Sequence, residues 1–238
     1  MNKIESTASS RSSLEIWLRD RSRQRAGRDF LFDDITPNKT AVLNVDMQNY
    51  FMSPGFQAAC PMAIEIIPHL NTLNQQMREL GALPVWIQTS AAEDAISGWG
   101  HYANLQSEDG WARRSMELAP GNEGYELHPD LDVREGDLLS VKTRFSAFIQ
   151  GSSDLHSRLQ TRCIDTLLVT GVATGVCCES TARDAMMLNY RVIMVSDALA
   201  AMTMEAHENS LKALFGLFAD VQTSRQVFNH AGLVFSDQ

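Results

Sequence analysis

The stretch that most constrains the fold of this chain is 167–185, which reads LLVTGVATGVCCESTARDA. It begins as an apolar run typical of a parallel strand buried on both faces, and it ends as a helical pattern that starts near Val176. A glycine-containing turn separates the two. Cys177 therefore falls in the first turn of the predicted helix, where unpaired N–H groups and the helix dipole favour a thiolate. The alternative is a cysteine that only fills the core.

The rest of the chain repeats this order of strand and helix. Apolar runs alternate with amphipathic helical segments, and the runs begin at Thr40, Leu83, Asp137, Ile164, Arg191 and Val221. The helical segments cover 61–80, 152–162, 176–189 and 204–218. This alternation predicts an α/β fold with a mostly parallel sheet of about six strands and right-handed connections.

The length of 238 residues fits one large domain preceded by a short extension. Residues 1–30 are polar and rich in arginine, with a small apolar cluster around Trp17. We predict an N-terminal helical arm over 1–30, with a helix that begins at Ser12 or Ser13 and ends near Arg25, followed by one large domain over 31–238. Such an arm either frays in solution or packs on a neighbouring subunit, because an isolated helix of this length is marginally stable.

Composition and charge exclude several classes of partner. The formal net charge is -9, whereas nucleic-acid binding needs clustered lysine and arginine. No apolar run reaches the length of a membrane span, and the N-terminus lacks the apolar core of a signal peptide. We therefore predict a cytoplasmic protein with no nucleic-acid or membrane partner. Its 4 cysteines are too few for a disulfide framework and should be reduced.

Three chemically reactive side chains follow different predicted strands. Asp46 comes directly after the first strand, Lys142 after the third, and Cys177 after the fourth. Because the carboxyl ends of parallel strands share one edge of a sheet, these side chains should meet there. A thiol becomes a nucleophile when a base removes its proton and a cation stabilises the thiolate. Asp46 suits the first role and Lys142 the second.

Three motifs in this chain resemble the isochorismatase-like cysteine hydrolase superfamily. They are VDMQNYF at 45–51, VKTRFSAF at 141–148 and TGVATGVCCESTARDA at 170–185. The resemblance extends from about residue 35 to the C-terminus. It implies a Rossmann-like, three-layer α/β/α fold and a catalytic triad of Asp46, Lys142 and Cys177.

The same resemblance implies how the triad would act. The backbone N–H groups of Ala173 and Cys177 would form an oxyanion hole, and a cis peptide bond would join Val172 to Ala173. The amidohydrolase branch, with ureidoacrylate and N-carbamoylsarcosine amidohydrolases, implies hydrolysis of a non-peptide C–N bond in a small amide, carbamoyl or ureido compound. The reaction would pass through a thioester and release ammonia or an amine. A homo-oligomer, either dimer or tetramer, is also implied.

Two other functions fit the same motifs. One is isochorismatase-type vinyl-ether hydrolysis, in which Asp46 donates a proton and the cysteine is dispensable. The other is a non-catalytic relative that senses a small molecule. The chain also departs from the family pattern at two positions, with Gly175 where Asn is usual and Cys178 where Val is frequent. Since Cys178 lies about 100° further round the helix than Cys177, we expect it to face the core.

The histidine pattern argues against a metal cofactor. The nicotinamidase branch of the superfamily binds zinc through an Asp-x-His pattern after its second strand. Here the corresponding segment reads SAAED at 90–94, and the next histidine is His101. No two histidines have the spacing of paired metal ligands. We therefore predict a metal-free enzyme without a cofactor.

Substrate-binding residues are expected after the strands and in the long segment 90–137, which we interpret as a lid because four aromatic residues are scattered through it. The candidates are Asn49, Phe51, Trp99, Tyr102, Arg144, Phe145 and Phe148. Packing is the alternative role for each aromatic ring. Arg144 is the candidate for binding a substrate carboxylate in bidentate fashion, or else it is an exposed arginine at the rim.

Overall fold

Six parallel strands form one sheet in the order β3-β2-β1-β4-β5-β6. The computed structural model of the chain describes residues 3–92 and 98–233, with side chains from residue 13. The strands are β1 (Thr40–Val45), β2 (Leu83–Thr89), β3 (Leu138–Lys142), β4 (Thr166–Val172), β5 (Arg191–Ala200) and β6 (Asp220–Gln222). The strand order reverses between β1 and β4, and such a switch point opens a crevice at the carboxyl edge of a parallel sheet.

Helices cover both faces of this sheet, so the predicted α/β/α fold is confirmed. In the described residues they are α1 (Lys3–Ala26), α2 (Asn49–Met52), α3 (Ile67–Glu79), α4 (Gly100–Ala103), α5 (Glu108–Glu117), α6 (Leu155–Gln160), α7 (Glu179–Met187), α8 (Met204–Leu214) and α9 (Ser224–His230). None of the described helices is long and apolar enough to cross a membrane.

The alternation of side chains along β1 divides the core between the two faces. Leu43 and Val45 belong to one apolar cluster with residues of α6, α7 and α8, whereas Val42 belongs to another with residues of α3 and α9. Every residue of β1 is buried, as expected for a central parallel strand covered on both sides. The central position of β1 fixes the place of the residue that follows it.

Several predicted boundaries were wrong by a few residues. The observed helices are shorter than predicted because local backbone geometry ends them. For example, Phe215 adopts an extended conformation (φ -59°, ψ 129°) that ends α8 at Leu214. In contrast, β5 is longer than its apolar run, since its pairing with β4 resumes after a register shift and joins Gly171 to Leu199.

The N-terminal helix differs from both predicted states of the arm. It begins at Lys3, so Ser12 and Ser13 lie inside the helix and do not cap it. Leu14 and Leu18 are buried in the core of their own chain, and the Arg19 guanidinium donates to the Val221 carbonyl at 2.6 Å. Burial of the apolar residues therefore ties the second half of α1 to the sheet beside β6.

We predict that this packing contributes to the stability of the whole chain. Leu18→Ala should lower the free energy of unfolding by about 2 to 3 kcal/mol, because it removes buried methyl groups from the core. Ile16→Ala is the matched control on the same helix, since Ile16 is 60% exposed, and should change it by less than about 0.5 kcal/mol. Equilibrium urea unfolding measures both. Equal effects of the two substitutions would show that α1 does not pack on its own chain in solution.

Candidate active site

The carboxyl ends of β1, β3 and β4 bring Asp46, Lys142 and Cys177 into contact. The Lys142 ammonium lies 2.9 Å from Asp46 Oδ2 and 3.5 Å from Cys177 Sγ. Asp46 and Lys142 are fully buried, and Cys177 is 6% exposed. Three residues that are far apart in the sequence thus form one cluster with an acid, an amine and a thiol.

Backbone geometry directs Asp46 into this cluster. Asp46 has a left-handed conformation (φ 54°), which few residues other than glycine, asparagine and aspartate adopt readily. Its N–H donates to the Ile87 carbonyl of β2 at 2.9 Å, which fixes the turn. On the neighbouring strand, Gly171 is required because a Cβ at that position would lie 2.2 Å from the Val45 carbonyl oxygen.

Two further polar residues complete the cluster, and the sequence analysis did not include either of them among the site residues. The Thr89 hydroxyl donates to Asp46 Oδ1 at 2.8 Å and accepts a hydrogen bond from the Lys142 ammonium at 2.5 Å. The Gln48 side chain binds the Thr89 backbone, accepting from its N–H at 2.7 Å and donating to its carbonyl at 3.1 Å. Thr89 is the last residue of β2, so the rule that identified the residues after the other strands could also have found it.

The Lys142 ammonium has acceptors on several sides. In addition to Asp46, Thr89 and Cys177, it donates to the Arg144 carbonyl at 3.2 Å. Burial by itself lowers the pKa of a lysine, but the Asp46 carboxylate and Cys177 outweigh it and raise the pKa of Lys142 above its usual value. Lys142 is therefore charged at neutral pH.

The pKa of the Cys177 thiol is raised, whereas its position near the start of a helix led us to expect a lowered pKa. Burial, followed by the negative charge of Asp46, raises the pKa of Cys177 to about 12, although Lys142 acts in the opposite direction. The expectation that the helix end favours a resting thiolate is therefore wrong. Because its pKa is raised, Cys177 needs a base at the moment it reacts.

The turn that carries Cys177 is a π-helical turn, Thr174–Cys178, and we call it the cysteine turn. The predicted helix start at Val176 is thus replaced by a wider turn that precedes α7, and such turns are frequent at functional sites. A cis peptide bond joins Val172 to Ala173 immediately before it, as the resemblance implied. The Thr174 hydroxyl anchors the turn by donating to the Ala200 carbonyl at 3.0 Å.

The second cysteine of the pair faces the core, as predicted. Cys178 is fully buried, and its thiol contacts the Thr170 carbonyl at 3.7 Å. Burial raises the pKa of Cys178 well above its usual value. Gly175, the other departure from the family pattern, lies against Ser210, where an added Cβ would make ordinary van der Waals contact at 3.6 Å.

Four of the seven predicted substrate-binding residues lie together near Lys142. Trp99, Tyr102 and Phe145 form what we call the aromatic cluster, with ring centroids of Phe145 at 5.0 Å from Trp99 and 5.3 Å from Tyr102. The Arg144 guanidinium lies 5.1 Å from the centroid of the Trp99 ring. The described part of the predicted lid therefore packs against the segment that follows β3.

The other three predicted residues make structural contacts. Asn49 donates to the Glu123 carbonyl at 2.9 Å, and Phe51 packs against Tyr50 and the apolar residues around it. Phe148 packs against Tyr190 and His156, close to α6 and α7. These contacts do not test binding of a substrate, so the assignment of Asn49, Phe51 and Phe148 as substrate-binding residues stays a prediction.

The donor set of the described residues does not fit a metal centre. They contain no group of three or more histidine, cysteine, aspartate or glutamate side chains that could hold a metal ion. Small side chains follow β2 at Ser90, Ala91 and Ala92, where an Asp-x-His pattern would be needed. Glu93 and Asp94 lie outside the described residues.

A cavity of about 430 Å³ lies elsewhere, between α1, α8 and the carboxyl ends of β5 and β6. Its lining includes Leu18, His207 and Gln222, and it includes none of Asp46, Lys142 and Cys177. We place the candidate active site at Asp46, Lys142 and Cys177, because a thiol acts as a nucleophile only with a base and a stabilising cation beside it.

The chain matches known proteins over most of its length. The model of the Isochorismatase domain matches residues 40–226. The chain is 31% identical over 209 residues to the ureidoacrylate amidohydrolase RutB of Klebsiella pneumoniae subsp. pneumoniae, covering 79% of this chain and 86% of that protein.

Solved structures agree with this match. A cysteine hydrolase from Pseudomonas syringae pv. phaseolicola superposes with a TM-score of 0.76 at 28% identity, covering 83% of this chain and 94% of that chain. The N-carbamoylsarcosine amidase from Thermoplasma acidophilum superposes with a TM-score of 0.60 at 26% identity, covering 78% and 96%. The family model covers the central sheet and the three motifs of this chain, so this chain belongs to the isochorismatase family.

Proposed function

We propose that this protein is a cysteine-dependent hydrolase that cleaves a non-peptide C–N bond in a small amide, carbamoyl or ureido compound. One observation carries the proposal: a buried ammonium contacts both a carboxylate, Asp46, and a thiol, Cys177. The names of two similar proteins, ureidoacrylate amidohydrolase and N-carbamoylsarcosine amidase, denote this class of substrate and support the proposal.

In the first half of the reaction, Asp46 removes the Cys177 proton as the sulfur attacks the carbonyl carbon. A base is needed because the Cys177 thiol is protonated at rest, with its pKa raised to about 12 by burial and the Asp46 charge. Lys142 stabilises the negative charge that forms on sulfur and holds Asp46 in place. The C–N bond then breaks, the proton on Asp46 passes to the nitrogen, and ammonia or an amine leaves.

In the second half, water hydrolyses the thioester. Asp46 accepts a proton from the attacking water, the C–S bond breaks, and the proton returns to Cys177. In both halves the oxyanion of the tetrahedral intermediate would be bound by the backbone N–H groups of Ala173, which precedes the cysteine turn, and Cys177, which lies within it. Such donors contribute about 10²- to 10³-fold each to the rate.

The predicted homo-oligomer, the cytoplasmic location and the absence of a cofactor stay predictions. The proposal of a metal-independent reaction rests on the described donor set, which offers an acid, an amine and a thiol but no cluster of metal ligands. The chemistry above uses only these protein groups.

The roles of the two adjacent cysteines can be separated. Cys177→Ser should lower ammonia release from the best substrate of an amide and ureido panel at least about 10³-fold while the protein stays folded, because it removes the nucleophile. Cys178→Ala is the matched control and should retain activity within a few-fold. Full activity of Cys177→Ser, with pyruvate release from isochorismate, would replace the thioester mechanism with vinyl-ether hydrolysis.

The Thr89 hydroxyl is expected to position the charged pair. Thr89→Val should lower kcat/KM about 10- to 100-fold, because a hydrogen bond to a charged group contributes about 1.5 to 3 kcal/mol. Thr89→Ser keeps the hydroxyl and should restore most of the activity. If Thr89→Ser were as impaired as Thr89→Val, the methyl group and its packing would matter, and the hydrogen bonds would not.

Metal independence makes a simple prediction for the purified protein. Prolonged treatment with EDTA, followed by removal of the chelator, should leave ammonia release unchanged, because the proposed nucleophile and base are both protein side chains. Addition of Zn²⁺ to the treated protein should not increase the rate. Loss of activity with EDTA and recovery with Zn²⁺ would contradict the proposed chemistry.

A further inference from the structure

Arg114, on α5, is a buried arginine with no anionic partner among the residues that the structure describes. Its side chain is only 7% exposed, and within the described residues it forms no ion pair and no side-chain hydrogen bond. Other partly buried arginines are paired: Arg78 binds Asp137 at 2.8 Å, and Arg183 binds Glu179 at 2.7 Å. A buried charge is normally paired or hydrogen-bonded, so Arg114 has the properties of a residue that binds an anion from outside the chain.

The surroundings of Arg114 place it at the same edge of the sheet as the triad. The end of α5 is joined to the segment after β2, because the Ala91 N–H donates to the Leu118 carbonyl at 3.2 Å. The Arg114 guanidinium lies 5.6 Å from the ring centroid of Tyr50, which follows β1 in α2. It also lies 5.7 Å from the ring centroid of Tyr102.

Tyr102 connects this position to the proposed active site. Its ring lies 5.3 Å from that of Phe145, and Phe145 is three positions after Lys142 in the chain. Arg114 therefore lies among the segments that follow β1, β2 and β3, and two of these strands supply Asp46 and Lys142. The aromatic cluster is between Arg114 and the segment that carries Lys142.

The chemistry of the guanidinium indicates the kind of anion. A guanidinium has five N–H donors in one plane, and a carboxylate can accept two of them in parallel. Contact with an aromatic ring stabilises the charge but leaves the in-plane N–H groups without acceptors. Tyr50 and Tyr102 thus leave the edge of Arg114 available for a carboxylate.

Arg144 is less suited to this role, although it was the sequence-based candidate. Its Nη1 atom donates to the Thr143 carbonyl at 2.8 Å and contacts the Thr143 hydroxyl at 3.3 Å. The Arg144 guanidinium is therefore already partly hydrogen-bonded to the neighbouring residue. Arg144 also lies over the Trp99 ring, whereas Arg114 lies near the Tyr102 ring.

We propose that Arg114 binds a carboxylate of the substrate and so selects carbamoyl or ureido carboxylic acids over neutral amides. This inference rests on the proposed function, since it assumes that Cys177 attacks the carbamoyl carbon. The substrate lies with its carboxylate at Arg114, its middle beside the aromatic cluster and its carbonyl at Cys177. Arg114 is a specificity-determining residue in this arrangement and takes no part in proton transfer.

The test compares acids with neutral ureas of similar size in one ammonia-release assay. The acids are ureidoacrylate, 3-ureidopropionate and N-carbamoylsarcosine, and the neutral compound is n-butylurea. Arg114→Gln should raise KM for the best acid about 100-fold, as expected for loss of a charge-assisted bidentate pair, with a smaller change in kcat. Its kcat/KM for n-butylurea should change less than about threefold.

Arg113→Gln is the matched control on the same helix. Arg113 is exposed and paired with Glu117, so this substitution should leave KM for the acids within about threefold of the wild type. If Arg114→Gln lowers activity on the acid and on n-butylurea equally, Arg114 is structural and the proposal fails.

A measurement on the wild type keeps the test valid if Arg114→Gln does not fold. Crotonate should inhibit ammonia release competitively and at least about 10-fold more strongly than crotyl alcohol, which lacks the carboxylate. Equal inhibition would overturn the proposal. Turnover of n-butylurea without turnover of any acid would also overturn it while leaving the C–N hydrolase function in place. Absence of turnover on every compound would instead contradict the proposed function itself.

Discussion

The site depends on one interaction, the ion pair between Lys142 and Asp46 in a fully buried position. Removing two charges from water costs several kcal/mol for each ion, and the pair is maintained only when both groups find hydrogen-bond partners. Here the Thr89 hydroxyl bridges the two, and the Arg144 carbonyl accepts from the ammonium. The sheet makes this possible because three strand ends, held in register by their ladders, bring the groups to one point.

The same burial determines the state of the cysteine. Without water, the Asp46 charge opposes formation of a second negative charge on Cys177, and Lys142 only partly offsets this effect. The raised pKa of Cys177 favours a protonated thiol beside the carboxylate. In the proposed mechanism, transfer of this proton to Asp46 therefore accompanies attack of the sulfur on the carbonyl carbon.

The substrate selection that we propose and the stability of the chain depend mainly on segments outside the three motifs. The aromatic cluster and Arg114 come mainly from the segment between β2 and β3, whereas α1 precedes the residues matched by the family model. The central sheet and the cysteine turn supply a common frame. Loop segments on such a frame can vary while the strand ends keep their geometry, so they are the natural place for differences in substrate.

Much of this fold could be predicted from local pattern. The apolar runs that begin at Thr40 and Leu83 predicted the first residues of β1 and β2, since a strand buried on both faces leaves a continuous apolar signal. The strand-end rule then predicted the meeting of Asp46, Lys142 and Cys177. Boundaries that depend on long-range pairing were not predictable in this way, and β5 extends because β4 continues beside it.

The sequence by itself determined the parallel α/β fold, the three reactive side chains and the family, because each is encoded by short patterns or fixed motifs. Only the tertiary structure decided that α1 packs on its own chain, that Thr89 joins the charged pair and that Arg114 is buried with no anionic group beside it among the described residues. It also decided that burial and the Asp46 charge raise the pKa of Cys177. These properties depend on which distant groups surround an atom and how much water is excluded, and no local pattern in the sequence records either quantity.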